Sequence, residues 1–273
     1  MLAWAGGARA FDLAQQPVRA SLLAGSDGIA PGQFLTLAVR LTHAPGWHSY
    51  WQVAGDSGLP TRIAWRLPPG FRAGELQWPV PRRLAIGALV DYGYEGETLL
   101  LARVETPADL GPVAVEHLGA HVQWLMCRDV CIPASADLVL DLPVVPAQTL
   151  RPSESAAAID RAQRLVPQPI SLNGASATRH GDRVRLAFTA PRPLRSLQFF
   201  PLDDGRFEAS AAPVLSVDAL SVRLDLTLSA SAPPEAPGPG TLRGVLVADG
   251  GPDADGGWAG VVELPVGGDP ARH

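Results

Sequence analysis

The 273-residue chain contains no lysine: all 22 of its basic residues are arginine, scattered among 27 acidic residues for a net charge of −5. Without a basic run there is no phosphate-tracking surface, which argues against nucleic acid as a partner. No stretch approaches the roughly 20 continuous apolar residues of a membrane-spanning helix, and no internal repeat is visible. Cysteine is almost absent as well, with Cys127 and Cys131 the only two, both inside WLMCRDVCIP at 124–133. The opening stretch, MLAWAGGARAFDLAQQ, has an Ala-Arg-Ala suited to signal cleavage. It lacks a basic n-region and its apolar run is short, so it reads as the edge of an export signal.

What the chain does have is turn chemistry. Hydrophobic residues make up 47% and charged residues 18%, with 28 glycines and 27 prolines, a balance that suits a turn-rich β protein. Its length predicts two domains. Period-two alternation, the mark of a half-buried strand, recurs at Leu35/Leu37/Val39/Leu41, Ile63/Trp65/Leu67, Leu118/Ala120/Val122/Trp124/Met126 and Leu138/Leu140/Leu142. The pattern then stops. Residues 153–165, flanked by prolines, read as a short helix begun by Ser153 and ended before Pro167. A second β series follows, at Val184/Leu186/Phe188 and from Leu220 to Leu228, and PPEAPGPG at 233–240 reads as a loop within it. The expectation is an all-β chain: two immunoglobulin-like β-sandwiches, 10–145 and 168–268, joined by a linker with a short helix at 146–167.

The cysteine spacing poses a geometric question. Four residues of straight strand span about 13 Å, whereas a disulfide needs its Cα atoms roughly 4.4–6.8 Å apart. The chain must therefore turn, either through a three-residue hairpin loop at Arg128-Asp129-Val130 or through one helical turn, which Pro133 would stop. A loop this short makes a weak staple, worth on the order of 2 kcal/mol before strain, and an easily reduced one. A redox pair, a structural bridge and a metal site all remain open on spacing alone.

For metal, His117, His121, Cys127 and Cys131 supply two imidazoles and two thiolates. If 117–127 is one strand, however, His117 and Cys127 lie about 33 Å apart, and the four cannot meet on one ion. His121 shares a strand face with Cys127 and could tune it. Arg128 would stabilise a neighbouring thiolate and Asp129 would oppose it. Trp124 falls on the opposite face, as core.

Several motifs in order resemble the N-terminal periplasmic domain of the DsbD/ScsB family of thiol:disulfide interchange reductases, with the ScsB (suppression of copper sensitivity) branch nearest. They are Gly46-Trp47-His48-Ser49-Tyr50-Trp51, Gly55-Asp56-Ser57-Gly58-Leu59-Pro60-Thr61, Leu67-Pro68-Pro69-Gly70-Phe71, Trp78-Pro79, Asp91-Tyr92-Gly93-Tyr94-Glu95-Gly96, and Trp124-x-x-Cys127-x-x-x-Cys131-x-Pro133. Residues 168–266 resemble the second sandwich of that branch only in outline. The resemblance implies an immunoglobulin-like fold whose cysteine pair, here Cys127 and Cys131, passes electrons, with Cys131 attacking the partner. It implies periplasmic thioredoxin-fold clients of the ScsC/DsbC kind, with thioredoxin-like and transmembrane domains of such a reductase as donor. No cofactor or resident metal is expected.

The same resemblance implies a cap loop shielding the cysteines, which maps onto Asp91, Tyr92, Tyr94 and Glu95. An aromatic lid has a physical motive, since an exposed dithiol in an oxidising compartment is readily lost. The aromatics of GWHSYW are expected in the core, with His48 a candidate for tuning the thiols. The electron-transferring membrane and thioredoxin-like domains are not in this sequence, so the chain is expected to be an excised portion or a stand-alone relative. The competing class is a non-enzymatic binding module for copper or a protein, with a structural disulfide.

Overall fold

A computed structural model describes residues 16–111, 115–230 and 240–268. The export-signal edge, residues 10–15 of the first expected domain, and nearly all of the PPEAPGPG loop lie outside the described residues. In chain order the first ten strands are β1 (Val18–Ala24), β2 (Phe34–His43), β3 (His48–Gly55), β4 (Arg62–Arg66), β5 (Arg72–Gln77), β6 (Arg82–Ile86), β7 (Leu89–Glu95), β8 (Glu97–Glu105), β9 (Val115–Cys127) and β10 (Cys131–Pro143). They form two sheets, β1-β2-β8-β5 and β10-β9-β3-β7-β6, with β4 added to β9.

Alternation decides which side chains fill the space between these sheets. Leu35, Leu37, Val39 and Leu41 of β2 meet Leu118, Ala120, Val122, Trp124 and Met126 of β9, together with Trp51 of β3, in one buried cluster. The outer face of the first sheet is closed by α1 (Ala156–Arg164), whose Ile159 and Ala162 cover Ala38, Leu99 and Leu101. This helix starts three residues later than Ser153. The Ser153 hydroxyl donates to the Ala24 carbonyl, 2.5 Å, and accepts from the Ser155 N–H, 3.0 Å, so the serine anchors the linker to β1 and the helix opens after it.

The remaining strands are β11 (Gln168–Pro169), β12 (Asn173–His180), β13 (Arg183–Thr189), β14 (Leu197–Pro201), β15 (Val214–Asp218), β16 (Ser221–Thr227), β17 (Thr241–Ala248) and β18 (Trp258–Gly267), in the order β14-β17-β18-β12-β13-β16-β15 with β11 on β18. β18 pairs antiparallel with β17 and, at Val266 and Gly267, parallel with β12, which joins the two layers of this half. Val184, Leu186, Phe188, Val222, Leu224 and Leu226 lie between those layers. The chain is thus all-β with immunoglobulin-like sandwich packing and a short helix between its halves. The halves also touch directly: Phe200, fully buried, meets Trp51 and Tyr92 edge-on at 6.1 and 5.3 Å, and Arg83 donates to the Ala209 carbonyl at 2.6 Å. Among the described residues no helix is long and apolar enough to cross a membrane.

Candidate functional site

β9 and β10 pair residue for residue along their whole length, ending at Cys127 opposite Cys131. The hairpin is therefore the turn realised: the Arg128 N–H donates to the Val130 carbonyl at 3.2 Å. The Cα atoms of the two cysteines stand 4.2 Å apart and their sulfurs are bonded. The two are not equivalent. Cys127 is 2% exposed, whereas Cys131 lies at the surface.

Cys127 owes its burial to the outer side of the sheet. Trp124 and Met126 point inward, so Cys127 points out, where Tyr50 and Ala54 of β3 cover it. The Tyr50 hydroxyl donates to the Cys127 sulfur at 3.0 Å and lies 3.7 Å from that of Cys131. Burial raises the Tyr50 phenol pKa, helped by the nearby Asp91 charge, so the group stays a protonated donor. The loop after β3 holds the ring in place. Asp56 accepts from the Val90 N–H, and Asp91 accepts from both the N–H and hydroxyl of Ser57. Gly58, at φ +86°, lies against the ring where a Cβ would overlap it; hence the glycine of GDSGLP.

Tyr50 is the functional residue that sequence reasoning missed, and it corrects two expectations. The aromatics of GWHSYW do not all enter the core: Trp51 does, and Tyr50, one position earlier, faces the sulfurs. Nor do Tyr92 and Tyr94 cover the disulfide. They belong to the inner face of β7, buried in the core, where Tyr94 donates to the Pro79 carbonyl at 2.7 Å and Tyr92 packs on Phe200. Burial raises both phenol pKa values, that of Tyr94 well above the ordinary range. Period two places Asp91 and Glu95 on the other face of β7, toward the site. Burial raises the Asp91 pKa against the opposing Ser57 hydrogen bonds.

The tuning candidates divide. His48 is 3% exposed and is the cross-strand partner of both Cys127 and Glu95. Its ring meets that of Tyr50 edge-on at 5.3 Å, and its Nε2 has no hydrogen-bond partner. Burial lowers its pKa, with the Asp91 and Glu95 charges opposing. Arg128 pairs instead with Asp129 at 2.9 Å and lies over the Trp47 ring at 5.3 Å, so these two hairpin charges largely offset each other in solvent. His121 is bound across the hairpin to Asp137 at 2.8 Å, a carboxylate shared with Arg66. His117 is bound to Asp141 at 2.7 Å. Neither histidine is brought to the cysteines. Beside the disulfide runs an open groove of about 750 Å³ lined by Leu59, Pro60, Trp124, Leu125, Met126 and Ile132.

The decisive comparison covers the residues that build this site. A family model described as "Thiol:disulfide interchange protein DsbD, N-terminal" matches residues 19–143. Residues 19–143 belong to the DsbD N-terminal family. With the bonded Cys127–Cys131 pair, that match marks the DsbD segment as a thiol–disulfide interchange domain. The crystal structure of the N-terminal periplasmic domain of ScsB from Proteus mirabilis superposes with a TM-score of 0.67 at 17% identity, covering 90% of this chain and 92% of that one. The likeness thus extends the shared fold beyond the DsbD segment to both halves. A Porphyromonas gingivalis W83 protein of unknown function (TM-score 0.27, 9% identity, coverage 93% and 100%) and the periplasmic chaperone SfaE (0.22, 11%, coverage 91% and 100%) are too distant to add to the argument. Among curated proteins no sequence matches significantly.

Proposed function

We propose that this chain is a periplasmic dithiol–disulfide relay, taking reducing equivalents from a thioredoxin-like or membrane-embedded donor and passing them to thioredoxin-fold clients through Cys127 and Cys131. The observation that carries the reading is the asymmetry of the pair, one sulfur at the surface and one beneath Tyr50. In the reduced protein the Cys131 thiolate attacks a client disulfide sulfur and the first client thiolate leaves. The Cys127 thiolate then attacks the Cys131 sulfur, the second client thiolate leaves, and two electrons have moved to the client as the Cys127–Cys131 bond forms. Exposure supports Cys131 as the first attacker. The mainly apolar groove beside it, lined in part by Leu59 at 61% exposure, is where a client surface would seat. In this reading residues 10–145 are the exchange domain, 146–167 the connection and 168–268 a scaffold.

Titration against glutathione is expected to show a reversible two-electron couple, and Cys127→Ser is expected to hold mixed disulfides on Cys131 in a periplasmic extract. A pair that stays oxidised at every accessible potential refutes the reading.

A further inference from the structure

We infer that His48 is the proton acceptor for the buried Cys127 thiol, making the resolving step of exchange possible at a sulfur shielded from water. The inference rests on the dithiol–disulfide reading. Cys127 must become a thiolate to attack Cys131, and at 2% exposure it has no ready access to solvent base. Directly opposed residues of antiparallel strands carry their Cβ atoms about 4.5–5.5 Å apart on one face, and His48 is directly opposed to Cys127. A short imidazole arm covers the remaining distance.

Its free atom fits the task. Nε2 is buried without a partner while the cysteines are bonded, and a buried orphan nitrogen is costly unless another state of the site uses it. Reduction supplies that use by placing an S–H donor on the facing strand. The groups around His48 are His43 on β2, Tyr50 on its own strand, Asp91 and Glu95 on β7 and Cys127 on β9. The two carboxyl groups would support an imidazolium once the proton arrives, and the Tyr50 hydroxyl steadies the sulfur left behind. Burial keeps the imidazole neutral in the oxidised protein, so its lone pair is available.

The step balances. Once Cys131 carries a mixed disulfide, the proton of the Cys127 thiol passes to His48 Nε2. The Cys127 thiolate attacks the Cys131 sulfur, and the leaving thiolate takes the proton from the imidazolium.

Stopped-flow reaction of the reduced protein with glutathione disulfide, with acid-quenched mass analysis of the Cys131–glutathione adduct, separates formation from resolution. At neutral pH, His48→Gln is expected to slow resolution relative to formation by about a hundredfold, the lower range for general-base assistance. Its residual rate should rise tenfold per pH unit toward the ordinary thiol range near about 8.5. In the unsubstituted protein, the His48 ring resonance is expected to titrate at higher pH after reduction than before. Wild-type resolution kinetics in His48→Gln, or a His48 midpoint unmoved by reduction, overturns the inference and leaves the exchange reading intact. A wild-type protein that forms no adduct and no disulfide with glutathione disulfide refutes both.

Discussion

At the scale of single residues the site is defined by Tyr50. Its ring limits access to Cys127, and its hydroxyl places a hydrogen-bond donor on the sulfur. A donor aimed at a thiolate favours the charged form, and a hydrogen bond to a charged group is worth about 1.5–3 kcal/mol. Tyr50→Phe, which keeps the ring and removes the donor, is therefore expected to raise the Cys127 thiol pKa by about one unit. The ultraviolet absorbance of the thiolate, followed against pH in the reduced protein, measures it. An unmoved midpoint would show that the hydroxyl serves only the oxidised state. Part of this residue was legible in the sequence. Alternation in His48-Ser49-Tyr50-Trp51 puts Tyr50 on the face opposite Trp51. Which strand would lie beside that face was not legible, because strand neighbours are set by long-range pairing.

At the scale of elements, β2 and β3 are held to the β7–β8 turn by His43. Its Nδ1–H donates to the Gly96 carbonyl at 2.8 Å, which leaves Nε2 to accept from the Ser49 hydroxyl at 2.8 Å. That arrangement requires a neutral ring, and burial lowers the His43 pKa below the ordinary 6.5, as it does for His48. The sign follows from linkage: below pH 6.5 the unfolded chain binds more protons at these positions than the folded one, so their contribution is complete above 6.5 and is lost as pH falls toward the folded values. Asp91, whose pKa is raised by burial, acts in the opposite sense at lower pH. Urea unfolding of the oxidised protein at a series of pH values is expected to show stability declining below pH 6.5. The difference from His43→Gln should shrink across that window, and a constant difference would show that the histidine does not titrate there. A histidine at a strand end gave no sequence signal of this role, since both of its partners are brought by folding.

For the molecule as a whole, the question is how the two halves are coupled. The first buried core does not end at the linker: it continues through Phe200, Ala209, Val245 and Val247 of the second half. Phe200 sits between Trp51, next in sequence to Tyr50, and Tyr92, next in sequence to Asp91. Phe200→Ala is expected to cost about 3–5 kcal/mol, as for other buried aromatics, and to loosen the first half as well as the second. Hydrogen exchange of the β3 and β7 amides reads this out; protection lost only in the second half would show that the halves are energetically separate. Through these two neighbours Phe200 packs behind the strands that carry Tyr50 and Asp91, alongside the Arg83–Ala209 hydrogen bond between the halves.

The sequence by itself determined the alternating strands β2, β4, β9, β10, β13 and β16 with their inward faces, the need for a turn between the cysteines and, through ordered motifs, the family resemblance. All of these rest on local sterics and a two-residue period that each segment carries internally. Tertiary structure alone decided that the turn is a hairpin loop, that Tyr50 and not Tyr92 or Tyr94 covers the disulfide, that His48 faces Cys127 while His121 is taken by Asp137, and that Phe200 joins the halves. Each of those depends on which strands become neighbours and in what register. That choice is made by burying distant apolar faces together, and no local stretch of the chain encodes it.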